Sequence, residues 1–122
     1  MNRNIEAAIE SHQAWTETFL NAIESRNLTE AVANSGYDDL CSFGKWLYSL
    51  DDETKRRPAF RRVKDQHYRF HLEAAEIVRL MEQACFADAK AKLAGDYAVT
   101  SARLVELLRD WQAAEGAGPT LA

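Results

Sequence analysis

The chain has 122 residues, of which 47% are hydrophobic and 28% are charged. This length and composition suit one globular domain and exclude a disordered or collagen-like chain. The net charge is −4, and neither a leader sequence nor an apolar run of the ~18 to 20 residues that span a bilayer is apparent. We therefore expect a cytoplasmic protein that enters no membrane and binds no nucleic acid.

Apolar residues recur at three- and four-residue steps along most of the chain, which is the spacing of amphipathic helices. Glycine and proline are scarce, at 5 and 2 residues, and they mark breaks between the helical segments. The main helices are expected over residues 3–26, 38–50, 58–85 and 86–114. Between the first two, residues 27–37 predict a short helical turn that breaks at Gly36.

Local signals support the ends of these segments. Asp38 and Asp39 offer side-chain oxygens that can cap the second helix. Pro58 fits the opening turn of the third helix, where its missing N–H is not needed. After the last helix, the run Gly116-Ala117-Gly118-Pro119 predicts a disordered tail over residues 116–122.

Four helical segments of compatible length, joined by short links, predict an all-α domain over residues 1–115. The expected architecture is an antiparallel four-helix bundle with a short, broken second helix. In a reducing compartment the two cysteines are expected to be free thiols or metal ligands, since a disulfide would not persist there.

All three histidines lie on the apolar stripes of their predicted helices, where a neutral imidazole needs hydrogen-bond partners or a metal. His67 and His71 are four residues apart on one helix, so about 5 to 6 Å separates their Cβ atoms. One zinc ion can bridge such a pair. Taken alone, the pair is more typical of two hydrogen-bonded core histidines than of a metal site.

His12 and Cys41 complete a candidate metal site. If the helices pack side by side, both residues face the middle of the helix that carries His67 and His71. Three imidazole nitrogens and one thiolate form a tetrahedral donor set that suits zinc. Cys85 lies more than three turns beyond His71 and is interpreted as a small buried apolar residue.

Four protein ligands leave no position for a catalytic water, so we expect no enzyme activity. The glutamate that serves as base in a His-Glu-x-x-His protease is also missing between His67 and His71. Second-sphere partners that could orient a ligand imidazole include Tyr48, Glu10 and Asp65, and the sequence does not choose among them.

Two motifs give the chain a specific resemblance. The run Cys41-Ser42-Phe43-Gly44-Lys45-Trp46-Leu47-Tyr48, followed by His67-Tyr68-Arg69-Phe70-His71 and preceded by His12, resembles the chemoreceptor zinc-binding family. The resemblance extends over about residues 5 to 110. It implies a four-helix bundle with one zinc held by three histidines and one cysteine, at His12, Cys41, His67 and His71.

The resemblance also implies a setting. Members of the family occur as cytoplasmic sensory parts of bacterial chemoreceptors or beside diguanylate cyclase domains, and they are linked with zinc and hypochlorite sensing. Since this chain carries no such effector domain, we expect a free-standing homodimer whose signalling partner, in chemotaxis or cyclic-di-GMP signalling, acts in trans.

Two functions remain open at this point. In the first, zinc occupancy or the oxidation state of Cys41 controls how the second helix packs, and a partner detects the change. In the second, zinc supplies folding energy to a structural or adaptor bundle that does not switch. A basic block over residues 55–64 is either a solvated surface or a docking patch for an acidic partner.

Overall fold

The computed structural model of the chain describes residues 3–37 and 41–121, with side chains as far as residue 114. Within these ranges all regular elements are helices, which confirms the predicted all-α class. They are α1 Arg3–Ser25, α2 Glu30–Ala33, α3 Ser42–Ser49, α4 Asp52–Lys55, α5 Pro58–Glu82, α6 Phe86–Ala94 and α7 Asp96–Leu121.

The long helices α1 and α5 both pack against α6 and α7, and the α6–α7 pair returns antiparallel to α1. Lys90 in the middle of α6 pairs with Glu24 near the end of α1, with 3.4 Å between the charged atoms. At the opposite end, the Gln112 side-chain amide of α7 donates to the Glu6 carboxylate of α1 at 2.7 Å. Contacts at both ends fix the relative direction of the two helices.

Helices α5 and α7 are antiparallel as well. The ring of Phe60, in the first turn of α5, meets the edge of Trp111 on α7 at 6.1 Å between centroids. About two turns further along α5, the Gln66 side-chain amide donates to the carbonyl oxygen of Thr100 on α7 at 3.1 Å. Because α7 opposes both α1 and α5, these two helices run parallel to each other, as up-down-up-down topology requires.

Short helices take the place of the second helix of the four-helix bundle, as the sequence predicts. Helix α3 packs on α1 and α7 through two aromatic contacts. Phe43 meets His12 at 5.9 Å and Trp46 lies 5.7 Å from Trp111, between ring centroids. The second corner of the bundle therefore rests on an eight-residue helix, which is shorter than an isolated helix needs to be stable in water.

The start of α3 differs from the prediction, and a short helix that was not predicted, α4, follows it. Helix α3 begins directly after Cys41, which is its N-cap residue, and not in the preceding acidic pair. The predicted caps Asp38 and Asp39 lie outside the described residues. The acidic turn that follows α3 forms α4, because the Asp51 side chain accepts the backbone N–H of Thr54 at 2.8 Å and caps a new helical turn.

Helix α5 begins at Pro58, as predicted. It ends at Glu82, three residues before the expected end at Cys85. Ala84 adopts a left-handed backbone with φ of 59°, and Cys85 becomes the N-cap of α6. The chain turns here because a left-handed residue cannot continue a right-handed helix.

The last predicted helix is two helices in the structure. The backbone leaves the helical conformation at Gly95, which separates α6 from α7. A glycine inside a helical run weakens it, because glycine loses more backbone entropy on folding than other residues. Helix α7 continues to Leu121, past the predicted end at Ala114. The disorder predicted for residues 116–122 stays a prediction.

Apolar side chains from every long helix form one core. Among the largest fully buried members are Phe19 of α1, Phe70 of α5, and Tyr97 and Trp111 of α7. Among the helices that the structure describes, none has the length and hydrophobicity to cross a bilayer.

Candidate metal centre

Three helices bring the four predicted ligands together. His12 comes from the middle of α1, His67 and His71 lie one turn apart on α5, and Cys41 stands at the N-terminal end of α3. The histidines are buried in the core, with exposed fractions of 0%, 1% and 4%. Cys41 is half-buried. The apolar stripes that predicted inward-facing imidazoles are therefore confirmed.

The donor atoms of these four residues all lie within 4.8 Å of one another. The Nε2 atoms of His67 and His71 are 3.0 Å apart, and the Cys41 Sγ atom is 3.8 Å from His12 Nε2. Tetrahedral zinc would hold two nitrogens about 3.3 Å apart and a nitrogen and a sulfur about 3.6 Å apart. These two pairs are within a few tenths of an ångström of that spacing.

Backbone carbonyl groups orient two of the imidazole rings. His12 Nδ1 donates to the carbonyl oxygen of Ala8 at 2.7 Å, and His71 Nδ1 donates to that of Ser35 at 2.6 Å. A carbonyl oxygen can only accept, so the proton resides on Nδ1 in the neutral ring and Nε2 keeps its lone pair. Both Nε2 lone pairs are then available to a metal.

The convergence of these lone pairs fits a bound cation. With the His12 and His71 protons on Nδ1, their Nε2 atoms cannot donate to each other, to His67 or to Cys41. Without a metal, a proton on His67 Nε2 can satisfy His71 Nε2 at 3.0 Å, and the Cys41 thiol can donate only weakly to His12 Nε2 at 3.8 Å. A metal ion would satisfy the nitrogens and the sulfur together, which is the chemistry that this donor set serves.

Burial keeps the imidazoles in the form that binds metal. The pKa of His67 is lowered to about 2, chiefly by desolvation and also by the nearby His71 and His12. Desolvation also lowers the pKa of His12 to about 4, although its hydrogen bond to Ala8 opposes the shift. Neutral imidazoles at physiological pH need not lose a proton before they bind zinc.

Aromatic side chains enclose the histidine cluster. Phe43 meets the edges of His12 and His67 at 5.9 and 5.2 Å, and Phe70 meets those of His12 and His71 at 4.9 and 5.2 Å, between ring centroids. These contacts hold the rings and exclude water from their side of the site. The motif residues Phe43 and Phe70 thus shape the centre without being ligands.

The opposite side of the site meets a surface cleft of about 400 Å³. Cys41 and His71 reach it from the metal centre, and Trp15 and Trp46 contribute aromatic walls. No Asp, Glu, Lys or Arg is among its described lining residues. The cleft gives small molecules a route from solvent to the sulfur.

The proposed second-sphere side chains do not orient His12 or His71. Glu10, Asp65 and Tyr48 are exposed, and backbone carbonyls occupy that role instead. The Ala8 acceptor was findable, because it lies four residues before His12 on the same helix. The Ser35 acceptor carries no sequence signal, since any residue supplies a carbonyl group.

Cys85 lies outside the metal cluster, as the sequence predicts. It is half-buried at the N-terminal end of α6 and not fully buried as expected, and its Sγ atom contacts the Gln83 carbonyl oxygen at 3.7 Å. This position makes Cys85 a matched control for experiments on Cys41, because both thiols are half-buried N-cap residues.

Comparison with known proteins identifies one family. Residues 12–78 match the chemoreceptor zinc-binding domain model, a narrower span than the resemblance at about residues 5 to 110. The match begins at His12 and includes Cys41, His67 and His71. No curated protein and no solved structure matches the chain significantly. On the family match, and with a three-histidine, one-cysteine group that can hold a metal ion, this chain belongs to the chemoreceptor zinc-binding domain family.

Proposed function

We propose that the chain is a regulatory domain in which His12, Cys41, His67 and His71 bind one zinc ion, and in which the state of that site controls the packing of α3. The observation that carries this proposal is the distribution of the donors. Three come from the long helices α1 and α5, and the fourth is the N-cap of the short helix α3. A metal ion there would tether α3 to the body of the bundle.

Helix α3 has few other attachments. It has eight residues, and its buried members are Phe43, Gly44 and Leu47. A helix this short is unstable alone and depends on tertiary contacts. Loss of the bond between the metal and Cys41 would remove one of those contacts and leave a thiol beside three imidazoles. The free energy of α3 docking should therefore depend on the metal site more than that of the long helices.

Oxidation offers a second way to change the site. Cys41 is half-buried and borders the cleft, so an oxidant such as hypochlorite can reach its thiolate. Oxidation to the sulfenic acid, with chloride as the reduced product, removes the negative charge that makes sulfur a strong zinc ligand. We propose that zinc occupancy and oxidation of Cys41 are alternative signals, each of which changes the packing of α3.

The signalling output that we propose is based on the family of the chain. The family is sensory and non-enzymatic, and a carboxylate base is absent from the described donor cluster. We propose that the chain is cytoplasmic, forms homodimers and signals in trans to a chemoreceptor or diguanylate cyclase partner. Native mass spectrometry of the zinc-loaded chain tests the dimer, which a purely monomeric spectrum at micromolar concentration would rule out.

The alternative function is a structural bundle stapled by zinc. Its support is the burial of all three histidines between α1 and α5, since a metal that cross-links two core helices stabilises the whole fold. In that case removal of zinc would unfold α1 and α5 together with α3, and no intermediate would be populated.

Amide hydrogen exchange distinguishes these functions. Zinc-loaded and chelated protein are compared at residues 42–49, with α5 residues 74–81 as the internal control. A regulatory site predicts at least tenfold faster exchange in α3 after chelation and little change in the control segment. Equal acceleration in both segments would favour the structural staple, and no change in either would contradict both functions.

A further inference from the structure

A second cavity lies on the outer side of α5, beside the C-terminal end of α3. Its volume is about 550 Å³. We call it the α3–α5 groove, and its lining residues are Tyr48, Lys64, Asp65, Tyr68, Arg69 and Leu72. The ligands of the metal centre do not line it, so the groove is a separate surface feature.

Exposed apolar side chains concentrate in this groove. Tyr48, Tyr68 and Leu72 are 41%, 52% and 47% exposed. They are three of the five large hydrophobic side chains that the described part of the chain exposes. Single exposed apolar residues are common, but a cluster of them with aromatic members is typical of a surface that another molecule covers.

Helical geometry explains why these side chains face solvent. Tyr68 and Leu72 are one turn apart, and both lie on the side of α5 opposite to its buried stripe, which includes Phe70 and Ala74. The bundle core cannot use them. A polar residue at each position would serve folding equally well, so folding alone does not account for the apolar pair.

The rim of the groove is basic. Lys64 and Arg69 line it, and exposed Arg61 lies two turns before Tyr68 on the same side of α5. The Lys55 ammonium donates to the Tyr48 carbonyl oxygen at 2.8 Å, which places a further positive charge beside the α3 wall. Asp65 is the single carboxylate in the lining. In a chain of net charge −4, this surface is locally positive.

The charge indicates what the groove binds. A second copy docked through the same surface about a two-fold axis would bring four cations, Lys64 and Arg69 of each copy, into an interface with one carboxylate from each, Asp65, which is unfavourable. A partner with carboxylates around an apolar stripe matches the surface instead. The groove lies between two helices and offers no strand edge for pairing, so the geometry favours a helix in a groove.

We propose that the α3–α5 groove binds an acidic amphipathic helix of a partner protein. The apolar face of that helix packs between Tyr48, Tyr68 and Leu72, and its flanking carboxylates pair with Lys64 and Arg69. The aromatic anchors supply affinity, and the complementary charges around them set the orientation of the bound helix.

The groove is connected to the metal centre through both of its walls. Tyr48 is seven residues after Cys41, on the same side of α3 and about 10 Å further along the helix axis. Tyr68 directly follows His67 on α5. If α3 loosens when zinc leaves, the Tyr48 wall moves relative to α5. This dependence on zinc, and only this dependence, rests on the function proposed above.

The experiment uses the full zinc-loaded chain and two synthetic helical peptides. The peptides share one leucine stripe, and glutamates flank it in the first whereas lysines flank it in the second. Amide chemical shifts and fluorescence anisotropy report binding. The glutamate peptide should bind at least about tenfold more tightly than the lysine peptide, with shifts at residues 45–50 and 61–72.

Surface variants locate the binding site. Tyr68→Ala and Leu72→Ala should each weaken binding of the glutamate peptide about tenfold, as loss of an anchor does. Val99→Ala, which removes an exposed apolar side chain of α7, should leave it unchanged. Both groove positions are solvent-facing helix sites where alanine is well tolerated, and circular dichroism confirms that each variant is folded.

Several results would overturn the proposal. These are equal affinity for the two peptides, shifts centred elsewhere, or no effect of Tyr68→Ala and Leu72→Ala. Sedimentation that shows a dimer lost in Tyr68→Ala would assign the groove to a second copy. A single-stranded oligonucleotide that produces the same shifts would assign it to nucleic acid.

The same titration after chelation separates this proposal from the function above. Weaker peptide binding without zinc supports both. Equal binding with and without zinc supports the docking site and contradicts the control of α3 by the metal. Absence of groove binding by zinc-loaded protein, together with faster α3 exchange on chelation, contradicts the docking site alone.

Discussion

The Nδ1 atom of His71 lies 2.6 Å from the carbonyl oxygen of Ser35, a residue 36 positions earlier in the chain. This hydrogen bond joins the turn after α2 to α5 and sets the orientation of a candidate metal ligand. The next residue, Gly36, passes so close to α5 that a Cβ atom built there would lie 2.7 Å from the Ala75 Cβ atom. The geometry of the candidate metal centre therefore depends on a glycine that is not one of the candidate ligands.

Gly36→Ala should weaken zinc binding. The added methyl group cannot fit against Ala75, so the turn must shift and the Ser35 carbonyl oxygen must move away from His71 Nδ1. Loss of a second-sphere partner of this kind lowers metal affinity by about 10- to 100-fold. Competition with a chromophoric chelator measures the affinity directly.

The control for this prediction is the double variant Gly36→Ala with Ala75→Gly. Removal of the Ala75 Cβ atom eliminates the closest contact, although its Cα atom would still lie 3.0 Å from the new methyl group. Zinc affinity should recover in part. If Gly36→Ala bound zinc as tightly as wild type, the role of the Ser35 hydrogen bond would be refuted.

Helical periodicity predicted the class, the bundle and the inward direction of all three histidines, because those features depend on which side of a helix is apolar. It missed the break at Gly95 and the end of α5 near Ala84, which depend on the backbone conformation of single residues. It also could not predict the Ser35 acceptor, since a backbone carbonyl group is common to every residue. The sequence shows the basic block over residues 55–64, but the position of that block beside Tyr68 is known only from the fold.

Acid should destabilise the metal-free protein. Burial lowers the pKa of His12 to about 4 and that of His67 to about 2, from 6.5 in the unfolded chain. The unfolded state therefore binds more protons below pH ~6.5, so stability is fully present above that pH and falls as the pH drops towards the folded values. Each histidine should contribute a slope of up to about 1.4 kcal/mol per pH unit.

Urea denaturation of the chelated protein between about pH 7 and pH 5 measures this slope. The His67→Gln variant is the control, since it removes one of the two histidines whose pKa is lowered by burial. Its stability should fall less steeply with acid than that of the wild type. Identical slopes for the two proteins would show that His67 does not titrate as its burial requires.

Phe43 should matter to the metal site beyond its contribution to stability. Phe43→Leu removes the edge contacts to His12 and His67, whereas Phe19→Leu alters a buried core site that contacts Trp15 and Tyr97. Both changes should lower the free energy of unfolding by about 1 to 2 kcal/mol. Of the two variants, only Phe43→Leu should also weaken zinc binding. The zinc affinity of both variants is measured under identical conditions. Equal zinc affinities of Phe43→Leu and Phe19→Leu would show that Phe43 contributes to core packing only.

Oxidation of Cys41 should release zinc. A stoichiometric amount of hypochlorite should raise the signal of a zinc-sensitive dye in wild type and in Cys85→Ala to the same extent, because Cys85 lies outside the cluster. A reductant should restore binding, as the sulfenic acid and disulfide states are reversible. If Cys85→Ala prevented the release, the wrong cysteine would have been assigned to the site.

The central claim is that His12, Cys41, His67 and His71 bind one zinc ion, and metal content tests it most directly. Wild type, Cys85→Ala, Cys41→Ala and His71→Ala are loaded with zinc, dialysed against one competing chelator and examined by elemental analysis. The first two should retain one zinc per chain, and the last two should retain far less. Zinc retained equally by all four proteins, or by none of them, would contradict the assignment.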